Sequence, residues 1–315
     1  MIRSGALTLR VRHVDMLAPT LRRVVLEADD GGLLPTSMPG AHLVLSLPDG
    51  AWIRRNAYSV VGHHAQRDQY EIIVRRTPDS RGGSAHVHDK LKPGDVIEAT
   101  PPSSLFPIQS HARKHLLIGG GIGITPMLSF LPAMRAMNLR VEMHQFARPD
   151  EAALFEELLA PFAAHSVHVH AARQECPLDE LLARQPLGTH VYSCGPAGLI
   201  DGVRDAAVAN GWPLSHVHSE SFGAYGGAPF SVRLARSGRT VEVGEHDSML
   251  EALETAGVAM PSLCRGGACG ECLTKVLDGT PEHRDHFLSP EEKAGGALMM
   301  PCVSRAETSM LTIDR

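Results

Sequence analysis

Four cysteines carry the strongest chemical signal in this chain. Cys264, Cys269 and Cys272 lie within nine residues, and Cys302 follows after 29 more. That C-x4-C-x2-C…C spacing is the plant-type [2Fe–2S] pattern, which reads these four as the metal ligands. The geometry has a simple reason. Four thiolates must surround two irons, so one tight loop supplies three and a distant segment supplies the fourth. Gly266, Gly267, Ala268 and Gly270 leave room for the loop to wrap and to aim backbone N–H groups at sulfur. Structural zinc sites usually pair two C-x2-C units, which this spacing does not. A Rieske centre needs two histidine ligands, and no Cys-x-His occurs here. Of the other two cysteines, Cys176 reads as an ordinary thiol. Cys194 stands in Tyr192-Ser-Cys-Gly-Pro196, at the end of a predicted parallel strand, the edge where open α/β sheets bind ligands.

A second signal is Leu116-Leu-Ile-Gly-Gly-Gly-Ile-Gly-Ile-Thr-Pro126. It reads as a strand, a glycine-rich turn and a helix, an arrangement that lets pyrophosphate approach the backbone. It departs from G-x-G-x-x-G, because the third glycine falls on Ile124 or Pro126. Taken with Cys194-Gly195-Pro196 it becomes specific, and Gly120, Gly121, Gly123, Thr125, Cys194, Gly195 and Pro196 are the nicotinamide candidates. A third signal pairs Arg54-Arg-Asn-Ala-Tyr-Ser59, following one predicted strand, with Arg81-Gly-Gly-Ser84, following another. An aromatic to stack on a flat ring, a hydroxyl for its edge, and a Gly-Gly-Ser turn with arginine for phosphate make a flavin mononucleotide pocket. Arg55, Asn56, Tyr58, Ser59, Ile73, Val74, Arg75, Arg81, Gly82, Gly83 and Ser84 form that candidate set.

Three textures must position these residues. The first, residues 1–109, alternates apolar and polar positions over Leu7–Val14, Leu21–Glu27, His42–Leu47, Tyr70–Arg75 and Val96–Ala99, which predicts an antiparallel β-barrel. The second, residues 110–225, alternates short apolar runs (His115–Ile118, Val141–Phe146, Val167–Val169, His190–Tyr192, Val217–Ser219) with helical stretches (Pro126–Met137, Glu151–Phe162, Leu178–Arg184, Ala197–Asn210). Such alternation predicts a parallel sheet of nucleotide-binding type. After the Gly-rich connection Gly223–Pro229, residues 230–315 form a small α+β unit around the cysteines. The fold class is therefore multidomain: flavin barrel, α/β nucleotide domain and plant-type ferredoxin domain.

Composition excludes other classes. The chain has 315 residues, 43% hydrophobic and 21% charged, with net charge −5. Those are ordinary globular values and give no reason to expect nucleic acid or an anionic membrane as partner. Ser231–Arg315 carries a net −4 of that charge, an acidic end suited to electrostatic docking or simply to solvation. With no basic-then-apolar start and no apolar run of membrane length, a cytoplasmic protein is expected. The 18 histidines read as surface or structural residues, since pairs such as His63/His64 and His86/His88 lack cysteine or carboxylate partners at ligand spacing.

These motifs, in this order, resemble the phthalate dioxygenase reductase family over essentially the whole chain. The resemblance rests on Arg81–Ser84, Gly120–Pro126, Cys194–Pro196, Glu220-Ser-Phe-Gly223, His283-Arg-Asp285 and Cys302-Val-Ser-Arg-Ala306. It implies an NADH-dependent oxidoreductase that passes electrons through FMN and a [2Fe–2S] cluster to a Rieske-type oxygenase. By the same resemblance Tyr58 and Ser59 contact the isoalloxazine, and Gly82, Gly83 and Ser84 hold the flavin phosphate. Thr125 sits near flavin and nicotinamide, and Phe222 covers the ring face. Thr125, Cys194 and Phe222 are thus the catalytic candidates. The family commonly reads Arg-x-Tyr-Ser. Here Asn56 takes the arginine position and Arg55 lies one place earlier, which leaves open which arginine meets the phosphate. FMN over FAD also comes from the resemblance, not from spacing. Hydride transfer from nicotinamide to flavin needs no acid–base residue, and the flavin converts a two-electron donor into one-electron steps for the cluster. Plant-type clusters lie near about −400 mV, within reach of a reduced nicotinamide. For the coenzyme, Ala147-Arg-Pro-Asp-Glu151 follows the second strand of the nucleotide domain. There Arg148 attracts a 2′-phosphate while Asp150 and Glu151 repel it, which favours NADH.

Overall fold

The computed structural model describes residues 6–49, 52–62, 65–77, 82–163, 166–222, 226–245, 247–263, 265–267, 269–285 and 287–315. The candidates Arg81 and Cys264, the pair His63/His64, Gly223 and Ala268 lie outside the described residues. The chain divides into two compact units, Met1–Leu47 with Arg54–Phe222, and Pro48–Ile53 with Gly223–Arg315.

In the first unit, β1 (Leu7–Ala18), β2 (Leu21–Ala28), β3 (His42–Asp49), β4 (Trp52–Val61), β5 (Tyr70–Arg75) and β6 (Val96–Ala99) close into a barrel in the order β1-β2-β5-β4-β3-β6. The short helix α1 (Gly83–Asp89) lies between β5 and β6. Alternation along β5 shows why the pattern works. Ile72 and Val74 fill the barrel with Val24, Leu26 and Leu45. Ile73 joins Leu21 and Val61 in a second cluster, with Leu117 and Tyr192 of the neighbouring sheet and Ile124 and Met127 of the helix that follows its first strand. Each such buried aliphatic is worth about 1.5–3 kcal/mol relative to exposure. One expectation is corrected here: Arg54–Ser59 does not follow a strand but lies inside β4. The run reads as polar, yet Arg55 and Ala57 are exposed while Asn56 and Tyr58 are half-buried. That is the alternation of a strand with one solvated face.

The parallel sheet contains β7 (Lys114–Gly120), β8 (Val141–Phe146), β9 (Ser166–His170), β10 (Thr189–Cys194) and β11 (Val217–Glu220), in the order β11-β10-β7-β8-β9. Its helices are α2 (Ile124–Ala136), α3 (Ala152–Leu159), α4 (Leu178–Ala183) and α5 (Ala197–Ala209). All seven residues of β7 are buried, as a central parallel strand covered on both faces requires. α2 is buried from Ile124 to Met134, so it lacks a polar face and serves as core. Its Phe130 meets Phe106 and Tyr192 at ring-centroid distances of 5.2 and 5.5 Å. Gln109 N–H donates to the Tyr192 hydroxyl at 2.8 Å, which fastens the connection leaving the barrel. Gly40 is required at its place, because a Cβ there would lie 2.6 Å from the Phe130 ring.

The second unit holds β12 (Phe230–Leu234), β13 (Thr240–Val243), α6 (Met249–Thr255), β14 (Thr274–Asp278), β15 (Pro281–Glu282), α7 (Pro290–Gly295), β16 (Leu298–Met299), β17 (Arg305–Ala306) and β18 (Met310–Ile313). Five of these strands form a mixed sheet in the order β13-β12-β18-β14-β16. Ser248 and Glu251 cap α6 reciprocally, and Ser289 and Glu292 do the same for α7. Each cap contributes on the order of 1 kcal/mol. Val232, Leu250, Leu253, Met299 and Leu311 form the core together with Cys272 and Cys302.

Candidate functional site

The sheet order places β8 on one side of β7 and β10 on the other. The chain therefore reverses direction between β7 and β10, and the crevice at their carboxyl ends is where open α/β sheets take ligands. The glycine-rich turn and Cys194-Gly195 meet there. A Cβ on Gly123 would stand 2.1 Å from the Cys194 carbonyl oxygen, and one on Gly120 would stand 2.6 Å from Leu199 Cδ2. Gly121 has φ +53°. Gln145 Nε2 donates to Gly121 O at 3.0 Å, so β8 holds the turn from beside it. Thr125 is buried, and its hydroxyl donates to Ile122 O at 3.0 Å.

Cys194 is fully buried. Burial, with the Glu220 carboxyl beside it, pushes its thiol well above the ordinary range, so it is a neutral thiol and no nucleophile. Register pairs it with Glu220 of β11. The Glu220 Oε2 atom is enclosed without a hydrogen-bond partner among the described residues, and burial raises this carboxyl to about 8. Sequence reasoning did not name Glu220 as a site residue. Its signal is its place in Glu220-Ser-Phe-Gly223, at the strand end next to Cys194-Gly-Pro.

An acid whose folded pKa exceeds its unfolded one is stabilising when protonated and loses that stability as pH rises. For Glu220 the window runs from the ordinary 4.5 to about 8. Glu220→Gln is therefore expected to melt higher than the parent at pH 8 and to show a flatter melting profile between pH 5 and 8, a gain on the order of 1–3 kcal/mol. Parallel melting curves for the two proteins across that range would refute the assignment.

On the barrel side, Ser59 is buried and its Oγ has no hydrogen-bond partner among the described residues. Such an orphaned hydroxyl fits a polar ring edge that the protein itself does not supply. Asn56 crowds the start of α1, since a Cβ on Gly83 would fall 2.4 Å from its Oδ1. Gly82 has φ +107°, and the Ser84 hydroxyl accepts from Thr77 N–H at 3.5 Å. Ile73 and Val74 are buried on opposite faces of β5. The structure thus brings Asn56 and Gly83 together, while Arg55 is exposed. Phe222 closes the first unit at 39% exposure, too open for ordinary core.

Arg75 ends in a different place from the flavin candidates. Its two Nη atoms donate to Glu151 Oε1 and Oε2 at 2.6 and 2.9 Å. Arg148 Nη2 reaches the same carboxylate at 2.8 Å and Asp150 at 3.7 Å through Nε. Burial pushes Glu151 up, but the two arginines outweigh it and hold the carboxyl below its usual range. Glu151 is 4% exposed, so its charge is neutralised within the protein and does not face a coenzyme phosphate, contrary to the reading of two acids opposing one base.

In the second unit, Cys272 and Cys302 are both 2% exposed. A hydrogen bond with Cys302 holds the Cys272 thiol below its usual range, against the effect of burial. Glu271 N–H points at Cys269 Sγ from 3.5 Å. Gly267 and Gly270 have φ +74° and +78°, and Cβ atoms there would strike Val303 at 2.6 Å and the Phe287 ring at 2.4 Å. These thiols and crowded glycines make a tightly wrapped segment, and the sulfur donors suit iron–sulfur chemistry. Buried Asp285 supports the loop by accepting from Leu288 N–H at 2.8 Å and Ser304 Oγ at 3.3 Å.

A barrel, a parallel sheet with its glycine turn at the switch point, and a cysteine-bearing α+β unit in one chain define a modular iron–sulfur oxidoreductase. The 2Fe-2S iron-sulfur cluster binding domain family matches residues 232–307, and the dimethylamine monooxygenase subunit DmmA-like N-terminal domain family matches residues 95–217. The chain is 42% identical to the heme-dependent oxidative N-demethylase beta subunit of Ectopseudomonas mendocina, over 99% of each chain. It is 36% identical to the phthalate dioxygenase reductase of Burkholderia cepacia, over 98% of each. A solved phthalate dioxygenase reductase, described as a modular structure for electron transfer from pyridine nucleotides to [2Fe–2S], matches with a TM-score of 0.80 at 36% identity, covering 99% of this chain and 98% of that one. The chain belongs to the phthalate dioxygenase reductase family. Among the described residues no helix is long and apolar enough to cross a membrane.

Proposed function

We propose that the chain is the NADH-dependent reductase component of an oxygenase system, passing electrons by way of FMN and a [2Fe–2S] cluster. The observation that carries this reading is the meeting of the Gly120–Gly123 turn with Cys194-Gly195 at the switch point, in a chain that also buries Cys272 and Cys302 side by side. The division of labour is a flavin barrel over residues 1–109, a nucleotide domain over 110–225 and a ferredoxin domain over 230–315. Bound flavin supplies the conversion from two-electron to one-electron transfer. Ser59 and Tyr58 meet its ring, and Gly82, Gly83 and Ser84, with Arg81, hold its phosphate. Phe222 covers the ring face and yields it to nicotinamide. Cys264, Cys269, Cys272 and Cys302 hold the cluster. The protein works in the cytoplasm.

NADH is preferred because Arg148, the one base of the Ala147–Glu151 segment, is already tied to Glu151 and Asp150. A 2′-phosphate would have to displace both carboxylates. Steady-state reduction of cytochrome c is expected to give a kcat/KM for NADH at least about tenfold above that for NADPH, and Phe222→Ala should lower the NADH KM while leaving the cluster spectrum unchanged. Preference for NADPH would sink the coenzyme assignment.

The partner is an oxygenase component of Rieske type, as the family resemblance implies. A haem-containing partner is a second reading, supported by the 42% identity to a subunit of a heme-dependent oxidative N-demethylase. Reconstitution with one oxygenase of each type, scored by NADH-dependent product formation, separates the two.

A further inference from the structure

The outer strands β8 and β9 of the parallel sheet place a group of polar side chains on one face, away from the switch point. Parallel register sets His144 opposite His168 and Phe146 opposite His170. Alternation puts Glu142 and His144 on the same face as His168 and His170. Cys176, from the turn after β9, returns over that face and joins the core of Leu116, Ile118 and Leu181. As a result His144 Nδ1 lies 2.9 Å from His170 Nε2 and 3.5 Å from Cys176 Sγ. The three ligand atoms all fall within 4.8 Å of one another.

The other side of His144 decides which of its nitrogens carries the proton. Its Nε2 is 2.9 Å from Glu142 Oε1, and Lys114 Nζ binds Glu142 Oε2. Lys114 and Glu142 thus form an ion pair beside His144. A carboxylate paired with the Lys114 ammonium is an acceptor, so His144 Nε2 donates the proton. Nδ1 then presents its lone pair towards His170 and Cys176. A carboxylate orienting the far nitrogen of a histidine is how proteins fix an imidazole that ligates a metal.

We infer that His144 Nδ1, His170 Nε2 and Cys176 Sγ form a binding site for one borderline divalent transition-metal ion of the zinc class, with Glu142 as the residue that positions His144. Two imidazoles and a thiolate exclude calcium and magnesium, which take oxygen donors. Three protein ligands leave the fourth tetrahedral position to water. Tetrahedral zinc with ordinary bond lengths needs about 3.5 Å between nitrogen and sulfur and about 3.3 Å between nitrogens. The first matches the observed 3.5 Å. The second requires the 2.9 Å histidine pair to open by about 0.4 Å. Without an ion that pair is joined by an N–H···N bond. On binding, the thiol proton leaves to solvent, the sulfur–metal bond forms, and His170 changes tautomer, giving up its Nε2 proton to solvent and taking one on Nδ1. His170 is half-buried and His168 is exposed, which leaves an approach from solvent. Because Ala147 N–H donates to His170 O, the ion would also brace the segment that carries Arg148.

Sequence reading passed over this site because His144, His170 and Cys176 share no motif. Parallel pairing of β8 with β9 brings them together. The test is calorimetric titration of Zn2+ into the holoprotein, flavin and cluster loaded, with zinc, iron and sulfide counted after gel filtration. One zinc per chain with a Kd of about 1 μM or tighter is expected, with iron and sulfide unchanged. His170→Ala and Cys176→Ser should each weaken binding at least about a hundredfold, and Glu142→Gln about tenfold or more. His218→Ala, in the separate histidine group of β10 and β11, should bind as the parent does. Failure to bind one zinc at micromolar concentration, or equal binding by His170→Ala and Cys176→Ser, would overturn the site, and so would loss of binding in His218→Ala alone.

Discussion

Cys302→Ala is expected to abolish cluster absorbance and reduce cytochrome c reduction to background, while NADH still reduces the flavin and ferricyanide. Cys302 is separated by 29 residues from Cys272, yet the fold buries both and joins them by a hydrogen bond. Three thiolates from one loop cannot close a [2Fe–2S] cage, which needs four. The hydrophobic clusters of the first unit draw only on residues between Leu7 and Val217, so losing the cluster leaves the hydride-accepting half with its packing whole. Iron and acid-labile sulfide assays on the purified variant decide the matter. A variant that retained two irons and two sulfides per chain would show that the fourth ligand lies elsewhere.

The second large effect is expected at Gly123. A methyl group there would meet the Cys194 carbonyl oxygen at 2.1 Å, its carbon at 2.4 Å and Gly195 N at 2.8 Å. All three are backbone atoms, so no side chain can swing aside. The glycine turn must part from the end of β10, and the crevice for the coenzyme parts with it. A displacement of about 1 Å at a reacting centre costs roughly a hundredfold in rate, so Gly123→Ala should lower kcat/KM for NADH by at least that factor. It should also destabilise the first unit by about 1–3 kcal/mol. Gly198→Ala is the control. It lies in α5 with nothing within 4 Å of the added methyl, and exchanging glycine for alanine in a helix should stabilise by about 0.5–1 kcal/mol without altering turnover. Normal NADH kinetics in Gly123→Ala would refute the close approach as the basis of the site.

What the sequence made legible was whatever is encoded over short spans. The barrel strands announce themselves by alternation, as in Tyr70–Arg75, and the parallel sheet by apolar runs such as Val141–Phe146. The cysteine loop could be read because three of its ligands are close in sequence. Residues whose roles depend on partners far along the chain were hidden. Glu151 read as a free acid until Arg75, 76 positions away, was seen to hold it. Glu220 acquires its raised pKa from burial beside Cys194, which only strand register reveals. Arg54–Ser59 read as the residues following a strand because Arg54, Arg55 and Asn56 interrupt the apolar pattern, whereas barrel closure places them within β4.

Two arginines of the second unit hold its first residues in place. Arg305, 2% exposed, donates to the carbonyls of Asp247, Gly227, Ala228 and Gly244 at 2.6 to 3.2 Å. Arg284 Nη1 takes Gly226 O at 2.7 Å. The leading edge of the ferredoxin unit, from Gly226 to Ala228, is thus fastened to arginines of its own interior. An edge fastened from within in this way keeps its own backbone carbonyls satisfied.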